Sequence, residues 1–246
     1  AWRLHINSLQ IEDGTIELVD HKLNPPFHGV LHHLSIVIGP LTIPWGGPQM
    51  SFAVRGELVG HAGEAAPLYC SGWMDLAAKD LQASCQLEPL GLAAFEPYYQ
   101  QGNVKIRVYS ATLKSTSQWT AKASELAGRV QLELGHLSEG DLSVRGATIV
   151  DVKQLTGGPE PRLRSELKFA GPLNDPSRWR AELIPGDEGA GQLVKRLRDR
   201  GIEVVKVSFW GRKIGVSVVP ASQATMTGIE AASKEVEEAL ELLAAP

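Results

Sequence analysis

Long apolar runs are missing from this chain of 246 residues. No stretch of about 18 apolar residues occurs, so nothing has the length of a membrane-crossing helix. Basic charge is not in excess: the net charge is −4 and the pI about 6.0, which gives no electrostatic footprint for nucleic acid. The catalytic signatures are absent as well. There is no G-x-S-x-G frame around a serine, no phosphate-cradling G-x-x-x-x-G-K-S/T loop, no G-x-G-x-x-G and no H-E-x-x-H. Gly186–Gly191, GDEGAG, precedes a basic helical stretch, but its acidic pair repels a phosphate. The chain therefore reads as non-enzymatic, with no cofactor. Cysteine is scarce too, and a lone C-x14-C pair is not a metal pattern. Seven histidines are present, of which His21, His28, His32 and His33 cluster near Asp20. Neighbours on a strand point to opposite faces, so His32 and His33 cannot share a tetrahedral site, and no metal is expected.

What the chain has is alternation. Val104, Ile106 and Val108 alternate with Lys105 and Arg107, and Val130, Leu132 and Leu134 alternate with Arg129, Gln131 and Glu133. This is the period-two pattern of strands with one apolar and one wet face. Hydrophobic residues make up 43% and charged residues 21%, which suits a folded body, and 25 Gly and 15 Pro supply many turns. The stretch 88–113 looks central, with a short helix over Pro89–Tyr99 leading into the Val104–Val108 strand. Asp13-Gly14 is a two-residue turn signal that sets Ile11 opposite Ile16 and Leu9 opposite Leu18, giving a hairpin over Trp2–His21. Further strands are expected at 31–38, 49–58, 117–135, 142–152 (with a bulge at Gly146), 163–169 and 179–183. From Pro185 the texture changes. A helix over Gly186–Arg200, a hairpin over Ile202–Val219 and an amphipathic helix over Thr225–Ala245 are expected. The organisation is thus a β region over 1–184 and a helix–hairpin–helix end cap over 185–246 continuing the same sheet.

The two cysteines sit in an expected hairpin about Leu76–Asp80. Strands 68–74 and 81–87 then pair at positions summing to 155, which sets Cys70 opposite Cys85 on an apolar face. That spacing permits a disulfide, and it equally permits two buried thiols.

The fold class that follows is mainly β: a long antiparallel meander with a few short helices and a C-terminal helix. A sheet that wide curls or splits into two layers. Alternation alone does not choose between an open curled sheet and a closed sandwich.

Two segments carry a resemblance. Trp2–Asp20 reads W-x-L-x-I-x-x-L-x-I-x-D-G-x-I-x-L-x-D, and Pro97-Tyr98-Tyr99 is followed by Gly102 and an alternating strand. This texture, over about 2–135, resembles the AsmA-like proteins of the bacterial cell envelope. The resemblance implies a curled sheet, an open groove or half-barrel, whose apolar face binds or conducts phospholipid acyl chains. It implies a periplasmic location, with anchoring to the inner membrane through a segment outside this chain. The groove residues would be Ile11, Ile16, Leu18, Val104, Ile106, Val108, Val130, Leu132 and Leu134. Lys195, Arg196 and Arg198 would meet anionic headgroups. Envelope membrane proteins or further copies of the chain would be partners beside phospholipid. The competing expectation is a scaffold module with a closed core that self-associates or binds proteins through sheet edges or the terminal helix.

Overall fold

A computed structural model describes residues 3–43, 49–60, 63–99, 106–108, 110–138, 143–144, 147–148, 162–175, 178–199, 206–209 and 212–218. The expected C-terminal helix over Thr225–Ala245 lies outside these residues, as does Val104. The strands are β1 (Leu4–Ile6), β2 (Leu9–Asp20), β3 (Phe27–Gly39), β4 (Leu41–Ile43), β5 (Met50–Val59), β6 (Ala65–Asp75), β7 (Asp80–Gly91), β8 (Ile106–Arg107), β9 (Thr112–Lys122), β10 (Glu125–Gly135), β11 (Ser143–Val144), β12 (Ala147–Thr148), β13 (Leu163–Pro172), β14 (Arg180–Pro185), β15 (Lys206–Phe209) and β16 (Arg212–Val218). A 3-10 turn (Leu92–Phe95) runs into a single α turn, α1 (Glu96–Tyr99), and a longer helix, α2, spans Glu188–Asp199.

The molecule is mainly β, and its sheet does not close into a barrel. Nine strands form an antiparallel meander in the order β2-β3-β5-β6-β7-β9-β10-β13-β14. Beyond β14 the pattern changes. β16 joins β14 in parallel, and β15 pairs outside it as the last strand. The helix α2 causes this departure from the expected all-antiparallel sheet: it carries the chain past one strand position, which β16 then fills.

Tight turns close one end of the meander. At the β6–β7 turn the Asp75 carboxylate accepts from the amides of Ala77 and Ala78, and Lys79 takes a positive φ of 59°. At the β9–β10 turn Ala123 and Ser124 both have positive φ, 49° and 73°, the conformation of a type I′ hairpin. The Ala123 amide donates to the Asp80 carboxylate of the neighbouring turn. The opposite end carries the helices and both long connections, 92–111 and 136–162. Among the described residues the small strands of those connections, β8, β11 and β12, pair only with one another.

This arrangement corrects three expectations. Asp13-Gly14 is not a hairpin turn. β2 runs through it as one twelve-residue strand, and the register shifts there. The stretch 88–113 is not the organising core. β7 continues through Pro89 to Gly91 and pairs directly with β9, so 92–111 is an excursion and Ile106 belongs to the separate three-stranded sheet. The expected strand over 142–152 is a small hairpin of β11 and β12. The terminal hairpin is present, with Val207 paired to Ile214 and Phe209 to Arg212.

The helical end is anchored from two sides. Ala94 is fully buried against Ala66, Leu87 and Leu90, with Leu58, Leu68 and Phe95 packed around them. At the start of α2 one Asp187 oxygen accepts from the Ala190 amide and the other from the Arg164 amide of β13. Asp187 thus caps the helix and ties it to the sheet edge.

The left-handed turn at Ala123-Ser124 yields a prediction, since L side chains resist that conformation. Replacing Ser124 with Gly should stabilise the fold by about 1 kcal/mol. Urea unfolding should show a higher midpoint at unchanged slope.

Candidate functional site

Because directly paired residues share a face, the register sorts every strand residue onto one of two sides. One row on the first side crosses all nine strands: Ile11, Ile36, Val54, Cys70, Cys85, Ser117, Val130, Leu167, Leu183. A second row on the same side is Leu9, Ile38, Phe52, Gly72, Ala83, Trp119, Gly128, Phe169, Ala181. At about 4.8 Å per strand spacing each row is roughly 38 Å long. In the second row large rings alternate with small residues. Trp119 stacks with Phe169 at 5.9 Å across Gly128, where a Cβ would run into the Trp119 ring. The Trp119 indole N–H donates to Ser117 at 3.0 Å. The face is therefore aliphatic at its β2 side and carries aromatic rings and a few serines on the β9–β14 side.

The parity of these rows depends on two bulges. Ile11 and Ile16 are an odd number of residues apart, as are Leu31 and Ile36, so regular strands would turn each pair to opposite faces. Register shifts in β2 and β3 restore them to one face. The extra residues are Asp13 and His33, with φ of 53° and 49°, and their side chains meet at 3.0 Å. Gly14 stands opposite Leu34, which is buried.

Of the expected groove residues, Ile11, Ile16, Leu18, Val130, Leu132 and Leu134 do share this face. Val130, Leu132 and Leu134 are half-buried, whereas Ile11, Ile16 and Leu18 on the terminal strand are 43%, 53% and 60% exposed. Ile106 lies on the small sheet, and Val108 is half-buried outside any strand. Ile106 and Val108 are therefore not on the nine strands that form this face, and Val104 lies outside the described residues.

At the helical end an aromatic group bounds the face. Phe27 lies 6.1 Å from the Phe95 ring and 5.0 Å from Tyr98. The Tyr98 hydroxyl reaches Asp20 at 3.5 Å. Burial, then the Asp20 charge, raise the Tyr98 pKa above the usual phenol value. Sequence reasoning did not find this group, although Phe27 directly after Pro25-Pro26 and the Phe95-x-x-Tyr98 spacing were visible signals.

The disulfide lies in the middle of the first row. β6 and β7 pair from Leu68↔Leu87 to Asp75↔Asp80, and the structure joins Cys70 to Cys85. The neighbours in the row, Val54 and Ser117, are shorter than Leu or Phe.

The other side of the sheet is polar. Arg129 and Lys168 both reach the buried Glu166, at 3.3 and 3.6 Å, and Arg164 pairs with Glu133 at 2.9 Å. A shallow open cavity of about 690 Å³ lies on this side. Its floor is Ala127 and Ala170, between Thr120 and Arg180, and the adjacent row is Gln118, Arg129, Lys168 and Glu182. The concavity arises because two alanines sit among long side chains. Basic residues Lys195, Arg196 and Arg198 lie on α2, with Lys195 and Arg198 exposed. They stand at the helical end, following β14. No group of three metal-ligating side chains occurs among the described residues. Nor is any helix among them long and apolar enough to cross a membrane.

Comparison with protein-family models, curated proteins and solved structures finds no match for this chain.

The central staple can be tested by its removal. The bond closes a separation of 15 residues, and a loop of that size stabilises by about 3 kcal/mol in the chain-entropy picture. The Cys70→Ala, Cys85→Ala double variant should unfold at correspondingly lower urea, while the oxidised parent should match it only after reduction.

Proposed function

We propose that the apolar face is a binding surface for phospholipid acyl chains, and that the protein acts by partition rather than by chemistry. The observation that carries this reading is the pair of largely apolar rows over nine strands, broken by Ser117 in the first, with Leu9, Ile11, Ile16 and Leu18 still 43–60% exposed. Soluble monomers rarely leave contiguous apolar surface of that kind without a ligand or partner. Each methylene moved from water onto such a face contributes about 0.8 kcal/mol, so a long acyl chain needs no specific polar contact. Ser115, Ser117 and Ser165 lie on the face and offer hydroxyls but no charge. Headgroups would stay in water or meet the basic residues of α2. The Cys70–Cys85 disulfide supports an oxidising compartment such as the periplasm. That location, inner-membrane anchoring through a further segment and membership of the AsmA-like group belong to the same proposal.

A scaffold role is the second reading, and the exposed β2 edge is the observation that favours it. Lipid extraction separates the two. Protein purified without detergent should release near-stoichiometric phospholipid on organic extraction and mass spectrometry. A Val130→Asp, Leu132→Asp variant should keep its far-UV circular dichroism and lose bound lipid at least tenfold. A lipid-free monomer whose double variant unfolds would mean that the apolar rows are ordinary core, and the lipid reading would be abandoned.

A further inference from the structure

The register that sorts the strands also isolates one residue. Among the described residues of the nine-strand meander, Asp20 is the one charged residue that falls in the apolar register. The other charged residues of these strands alternate to the polar side or stand at a register shift, as Asp13 does. Asp20 pairs with Phe27 and follows Ile16 and Leu18 on the same side of β2, where those two are 53% and 60% exposed.

A charge among apolar neighbours calls for a partner. Asp20 is half-buried; its carboxylate accepts from the Lys22 amide at 3.0 Å and from the Tyr98 hydroxyl at 3.5 Å. No basic side chain pairs with it among the described residues. A carboxylate has about four lone-pair sites, so two hydrogen bonds leave room for a further donor. Beside it, Phe27 is buried with its ring over Gly29, the partner of Leu18, whereas Tyr98 is 45% exposed. An exposed ring next to a carboxylate without a cation, at the end of an aliphatic strip, suits a ligand with a cationic head and an apolar tail.

We propose that Asp20 and Tyr98 bind the ammonium group of a zwitterionic phospholipid of the ethanolamine type, whose acyl chain lies along Leu18, Ile16 and Ile11. The inference rests on the acyl-chain reading of this face and adds the class of headgroup. The ammonium N–H groups donate to the remaining lone pairs of the Asp20 carboxylate, and the cation lies beside the Tyr98 ring. A phosphoglycerol headgroup has no such cation, and its negative charge is repelled by the same carboxylate.

Competition between lipids tests it. The whole chain is mixed with vesicles of equal parts phosphatidylethanolamine and phosphatidylglycerol carrying the same acyl chains, separated from them, extracted and analysed by mass spectrometry. Phosphatidylethanolamine should be enriched about fivefold in the protein fraction, the scale of one part-exposed ion pair. Asp20→Asn keeps an oxygen that accepts from Tyr98; it should bind as much total lipid, in the ratio of the vesicles. N-acetylation of the ethanolamine removes the positive charge from the lipid and should abolish the enrichment with the parent protein, so the question is decided even if the variant fails to fold. Lipid bound to the parent in the vesicle ratio, or enrichment that survives Asp20→Asn or N-acetylation, would overturn the headgroup inference and leave the acyl-chain reading standing. A parent that takes up no lipid would overturn both.

Discussion

Strand register is the constraint on which this molecule depends. A slip of one residue between any two strands would turn an entire strand's apolar set toward the polar side. Nine strands must therefore agree in phase for the rows through Ile11 and Leu9 to exist. Three departures from regularity serve that agreement. The bulges at Asp13 and His33 bring the outer halves of β2 and β3 back into phase, and the shift in β7 near Glu88-Pro89 lets Leu90 meet Leu113. Proline is tolerated at that last point because a bulged residue need not donate to the ladder.

Each side of the sheet answers a different physical problem. On the apolar side, ring stacking over Gly128 and the covalent tie at Cys70–Cys85 link neighbouring strands. On the polar side, Glu166 is buried but shared by two cations, which removes the cost of an isolated charge. The exposed ion pairs around it contribute little individually. In the native register Arg129 stands directly opposite Lys168, and Glu166, which both cations reach, offsets that like-charge pair.

The general architecture was legible in the sequence because alternation is strong where strands are amphipathic. Val130–Leu134, the Cys70–Cys85 register and α2 were readable for that reason. β9 was harder. Its apolar-side positions include Ser115 and Ser117, so the alternation that announces a strand is weak there. The same weakness made the excursion at 92–111 look central, since Val104-x-Ile106-x-Val108 alternates better than the strand that actually pairs. Asp13-Gly14 misled for a different reason: a left-handed residue suits a bulge as well as a turn, and only the long partner β3 decides between them. The turn at Ala123-Ser124 lacks the usual residues altogether, and its neighbour Asp80 supplies the hydrogen bond that steadies it. The aromatic boundary at Phe27, Phe95 and Tyr98 joins residues far apart in the chain, which a local pattern cannot show.

The meander order has a kinetic side. Six of the eight junctions in the nine-strand sheet are short connections, so most pairing partners are already near in sequence when they meet. Only 92–111 and 136–162 require longer closures, and each doubling of loop length adds merely about 0.6 kcal/mol to that step. A nascent chain can therefore zip strand by strand as it emerges, with the growing edge always the most recently made strand. Until β10 arrives, Trp119 would stand beside an open edge rather than over Gly128, which makes the β9–β10 turn the point where the aromatic half of the face takes shape.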